Sequence, residues 1–180
     1  MTKMFHSQEL SDLPQGKRLF VLSRAYIEGS EHLCRALLAE DYAAEFASSR
    51  VVLHLCCHGV ELFFKGAIHC ASRRTPRRTH ELHKLGEEYS RLFPSPDFQF
   101  AIPFWFETLD SEELFEELNN QFHKTLDQRY RYPVDKQFAP FDGPEGFQPD
   151  VFLSEIEALR VELVKLEIRI LSSLNLPTMG

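Results

Sequence analysis

Between Ala44 and Arg73 the chain is apolar around most of a helical circumference, and its polar positions fall on one narrow line. At about 100° per residue, Arg50, His54, His58, Glu61, Lys65 and His69 lie within about 100° of one another. Val51, Val52, Leu53, Leu55, Val60, Leu62, Phe63 and Phe64 occupy the rest. Such a segment predicts a helix at the centre of a bundle, with its polar line meeting water, a partner's polar groups or a ligand.

The flanking segments carry the same period. Leu19, Leu22, Tyr26, Leu33 and Leu37, with Gly29 in series, predict a helix over roughly Lys17 to Glu40. Thr79 is the expected N-cap of a third, whose stripe is Leu82, Leu85, Tyr89 and Leu92. Asp110 and Glu113 open a fourth as a weak capping box, followed by Leu114, Leu118, Phe122 and Leu126. After Pro149-Asp150, Phe152, Ile156, Leu159, Leu163, Leu166 and Ile170 alternate by three and four. That last stripe suits either a bundle core or a two-fold dimer seam.

Two connections are long. Phe93 to Leu109 holds three prolines among many aromatics, and is expected to pack its rings onto the bundle as an ordered flap. Tyr132 to Pro149 is loop chemistry, with Phe138, Phe141 and Phe147 as tethers. With no convincing sheet, the expected fold is all-α: an antiparallel up-and-down bundle of about five helices in a single domain spanning residues 1–180.

Charge changes the picture more than size does. The formal net charge of −7 argues against a protein that coats nucleic acid, so any such contact needs a local basic patch. "RRTPRR" supplies the concentrated one, Arg73, Arg74, Arg77 and Arg78, able to hold phosphate or simply to cap the preceding helix. The opening "MTKMFHSQEL" has no apolar signal core, no apolar run approaches a membrane span, and four cysteines show no CxxC spacing. A cytoplasmic chain with reduced thiols and no membrane association is expected.

The polar line has three readings. It is a solvated edge with Glu61 and Lys65 as an i,i+4 pair, a polar pocket or interface network, or a metal site using His54, His58 and Glu61. The spacing is not HExxH and no fourth ligand is evident, so no cofactor is assigned.

"HGVELFFKGAIH", then "RRTPRRTHELHKL", then "QRYRYP" resembles the HEPN superfamily of small helical bundles. The matching positions are Glu61 and Lys65, then Thr79, His80, Glu81 and Leu82, then Arg131, Tyr132 and Pro133, over residues of about 44–175. The resemblance implies a dimerising up-and-down bundle with roles in RNA cleavage, nucleotide binding or toxin and defence systems. The superfamily's ribonucleases carry R-x4-6-H late in the bundle. Here no histidine follows Arg129 or Arg131, and the last one is His123. By count alone Arg74 with His80, or Arg78 with His83, would substitute. In such a pair His would take the 2′-hydroxyl proton and Arg would stabilise the charged phosphorus centre.

The leading expectation is therefore a non-catalytic binding module for a nucleotide or RNA, homodimeric, contacting phosphate through the arginine loop, Arg131 and Tyr132. The alternatives are a toxin or defence ribonuclease with an unorthodox Arg/His pair, and a structural dimerisation partner for another protein in trans.

Overall fold

In a computed structural model of the chain, the described residues are 7–41, 45–74, 79–103, 122, 124–126, 128–141 and 146–175. They form α1 (Gln8–Ser11), α2 (Gln15–Leu38), α3 (Phe46–Ser72), α4 (Leu82–Leu92), a 3₁₀ turn (Pro96–Phe98) and α5 (Pro149–Ser173). Residues 122, 124–126 and 128–129 are also helical. There is no strand among the described residues, and the architecture is an all-α helical bundle. Most of the helix expected from Asp110 lies outside the described residues.

α3 is central, packing against α2, α4 and α5. By length and composition it could cross a membrane, which sequence reading did not anticipate, but most of it is buried inside the fold. Its partner α2 buries a different face from the one its leucines predict. Phe20, Ser23, Ile27, Ser30, Cys34 and Leu37 point inward, whereas Leu19, Leu22, Tyr26 and Leu33 are only half-buried. Close approach of the two helices is the reason. Ser23 and Ser30 each donate a 2.7 Å hydrogen bond to an α3 carbonyl, of Gly59 and Val52 respectively. A Cβ on Gly59 would stand 2.6 Å from Ile27 Cδ1 and 2.8 Å from its Cγ1, so any larger residue must displace Ile27.

α5 begins at Pro149, whose fixed φ suits a first turn. Its six stripe residues, Phe152 to Ile170, are all buried within the chain's own core. The stripe is thus spent internally, and a dimer would need another surface. Ion pairs tie α5 to α2 beside this core: Arg24 to Glu167 at 2.8 Å, and Arg160 to the buried Glu31 at 2.7 Å.

α4 starts at Leu82, later than expected. Thr79 is not its N-cap; its hydroxyl accepts from Glu81 N–H at 3.1 Å, closing a small turn just before the helix. Leu82, Leu85 and Tyr89 are buried, and Phe93 takes the place expected of the exposed Leu92. Beyond it, Phe93, Phe98, Phe100 and Ile102 pack on the core, and Tyr89 O–H donates to Phe98 O at 2.7 Å. This part of the aromatic flap is core filling.

Candidate functional site

The polar line of α3 is half-buried, and Glu61 at its middle is buried at 6% exposure. Three cationic or titratable groups meet its carboxylate. Lys65 Nζ lies 2.6 Å from Oε1, His80 Nδ1 3.0 Å from the same oxygen, and His58 Nδ1 3.4 Å from Oε2. Two of these come from α3 itself, at i−3 and i+4, as helical geometry allows. His80 comes from the turn before α4, so Glu61 pins that turn to the central helix. Burial alone would raise the Glu61 carboxyl. The bonds from His58 and Lys65, with the charges of Lys65 and His80, outweigh it and hold the group down to about 2.

The line continues toward the N-terminal end of α3. His54 and His58 stack with ring centroids 6.0 Å apart, and Tyr26 of α2 meets His58 edge-on at 4.5 Å. His54 is held below the ordinary histidine value, first by burial, then by the charges of Arg131 and His58, with Glu61 opposing. It is therefore neutral near pH 7 and able to accept a proton. Arg50 donates to the backbone carbonyls of Arg129 and Tyr132, placing a cation at the end of the helical turn that precedes Arg131. It fixes the Arg-Tyr-Pro segment against α3.

That anchoring brings Arg131 to α3. Together with His54, His58, Glu61 and His80 it lines a shallow hollow whose cavity volume is about 10 Å³, the space of roughly one water. Arg131 has no carboxylate partner among the described residues, and its guanidinium lies 6.0 Å from the centroid of the half-exposed Tyr132 ring. The hollow thus holds one carboxylate already matched by Lys65, three imidazoles and an arginine without an ion pair among the described residues. It is chemically suited to an oxyanion.

The other expected site residues disperse. Arg73 and Arg74 are exposed at the end of α3, and Arg77 and Arg78 lie outside the described residues. Arg73 adopts a left-handed conformation (φ 55°) and its N–H donates to His69 O at 2.8 Å, so its backbone ends the helix. His69 leaves the polar line to bond Arg74 O at 2.8 Å. His80 engages Glu61 rather than Arg74, while His83 lines a separate cavity on the other flank of α4. No three His, Cys, Asp or Glu side chains among the described residues form a metal-ligand group. In the set His54, His58 and Glu61, the carboxylate is engaged by Lys65 at 2.6 Å.

Sequence reasoning named each charged or imidazole member of the hollow, but nothing in the spacing showed that Arg131 and His80 would close on α3. Comparison with protein-family models, curated proteins and solved structures finds no match to this chain.

Proposed function

We propose that this chain is a HEPN-like binding module that recognises the phosphate of a nucleotide or of an RNA strand in the hollow between α3, the turn before α4 and the Arg-Tyr-Pro segment. The observation that carries this reading is Arg131, without a carboxylate partner among the described residues, lining one hollow with His54, His58 and His80. An arginine with no carboxylate ion pair among the described residues, beside imidazoles and a Glu61 already engaged by Lys65, favours a bound anion. The hollow is shallow, so it grips phosphate oxygens and leaves the rest of a ligand on the surface. The chain's net charge of −7 opposes binding, which makes the interaction weak and strongly salt-dependent. A cytoplasmic setting suits both this ligand class and four free cysteines.

The experiment is fluorescence anisotropy of labelled single-stranded RNA at low salt, with AMP and ADP as competitors. Binding with a log–log salt slope of about −0.7 per phosphate contacted is expected, and Arg131→Gln should flatten that slope by about one contact. Absence of binding to RNA and to both nucleotides would defeat the reading.

A second reading is favoured by the neutral His54 lining the same hollow as Arg131. In this reading His54 takes the 2′-hydroxyl proton as the 2′-oxygen attacks the adjacent phosphorus, and Arg131 stabilises the developing charge. The bond to the 5′-oxygen breaks with a proton supplied by solvent, and a 2′,3′-cyclic phosphate is left. Cleavage of the labelled RNA by the wild type, lost in His54→Ala with binding retained, would establish it over simple binding.

A further inference from the structure

Away from the Glu61 hollow, α4 and α5 each pack on α3 far more closely than on each other, and the space between them is not filled by described residues. The resulting cavity has a volume of about 890 Å³, within the range of small-molecule sites. Its floor is apolar and aromatic: Phe64 of α3, Tyr89 of α4, Leu159 of α5 and Phe100 of the following loop. Phe64, Tyr89 and Leu159 are at most 3% exposed and form the rigid base, while the half-buried Phe100, Ile102 and Pro103 give the cavity its accessible apolar surface. The Tyr89 bond to Phe98 O ties down the approach to the loop wall.

Three carboxylates gather at the rim, with His83 as the basic side chain among the lining residues. Glu87 of α4 faces the opening from one side, and Glu155 and Glu162 of α5 from the other, two turns apart on one helix face. No lysine or arginine lines the cavity among the described residues. Glu162 pairs with Lys165 at 3.3 Å, but the carboxylates of Glu87 and Glu155 have neither ion-pair nor hydrogen-bond partner among the described residues. An apolar floor beneath uncompensated carboxylates complements a molecule that is apolar at one end and cationic at the other.

We propose that this cavity binds a small organic amine with an aryl or alkyl body, the body resting on the half-buried Phe100, Ile102 and Pro103 and the ammonium held by Glu87 and Glu155. The site is separate from the phosphate-binding hollow and opposite to it in charge preference. The two can therefore be tested independently.

Isothermal titration of the full chain with tryptamine and with its anionic counterpart indolepropionate, at low ionic strength, tests it. Tryptamine should bind and indolepropionate should not. Glu87→Gln and Glu155→Gln should each weaken tryptamine by about twofold to fivefold, the loss that an exposed ion pair supports. Ala158→Phe, at an exposed position on the cavity wall, should abolish binding while leaving the thermal midpoint of the free protein in place. Equal binding of amine and acid, no binding of tryptamine at millimolar concentration, or unchanged binding in Ala158→Phe would each overturn the proposal.

Discussion

Lys65 Nζ stands 2.6 Å from Glu61 Oε1 with the two side chains only 15% and 7% exposed, so this i,i+4 pair is a withdrawn one rather than a surface ornament. Removing one member leaves the other desolvated without its partner. Glu61→Ala should cost about 1–3 kcal/mol by urea denaturation, because it also orphans His58 and His80. Lys65→Ala should cost less, since both histidines still reach the carboxylate. The double mutant should show a coupling of about 1 kcal/mol or more. Zero coupling would mean that the pair is solvated in solution.

Acid should unfold the protein through the same carboxylate. Glu61 is held down to about 2 in the folded chain, below its value when unfolded, so the unfolded state binds its proton first. The stabilisation is complete above the unfolded value near pH 4.5 and is lost as pH falls toward 2. Its size is of the order of 3 kcal/mol. Chemical denaturation between pH 6 and pH 3 should therefore show a falling stability for wild type and a flatter curve for Glu61→Gln. Parallel curves would assign the acid sensitivity to other groups.

At the α2–α3 seam, Gly59→Ala is expected to destabilise although alanine favours helices by about 1 kcal/mol. The new methyl meets Ile27 Cδ1 at 2.6 Å and Ser23 O at 3.2 Å, and only the former can swing away. Overpacking of this kind costs about 1–3 kcal/mol. Ser23→Ala should cost about 1 kcal/mol through loss of its bond to Gly59 O. A thermal midpoint for Gly59→Ala at or above wild type would show that the helices can part without penalty.

That seam also shows where sequence reading succeeds and where it stops. The stripe of α5 was legible residue by residue, because leucine and isoleucine at spacings of three and four have few other uses. The inner face of α2 was not, because Ser23 and Ser30 count as polar until a backbone carbonyl is supplied by a neighbouring helix. In the hollow, Glu61, Lys65, His54 and His58 were legible as one line, being fixed by a single helix. His80 and Arg131 join them across chain separations that no local period encodes. Thr79 misled for a related reason: a hydroxyl ahead of an apolar stripe serves an N-cap or a tight turn equally well, and here it closes the turn.

His54 offers a direct reading of what enters the hollow. In the free protein its ionisation is depressed, chiefly by burial and then by Arg131 and His58, with Glu61 pulling the other way. Protonation is therefore disfavoured in the fold, and the associated stability is present above the unfolded histidine value and lost as pH falls below it. Arg131→Gln removes a neighbouring cation, so the His54 titration followed by NMR should move upward, yet stay below the ordinary value because burial remains. A phosphate seated against Arg131 adds negative charge at the same place and should also raise it. Saturating AMP should thus shift the wild-type His54 titration upward and have little effect in Arg131→Gln, where the anion has lost its anchor. An unchanged His54 titration under AMP concentrations that do bind would place the phosphate elsewhere on the molecule, with the exposed Arg73 and Arg74 as the next positions to alter.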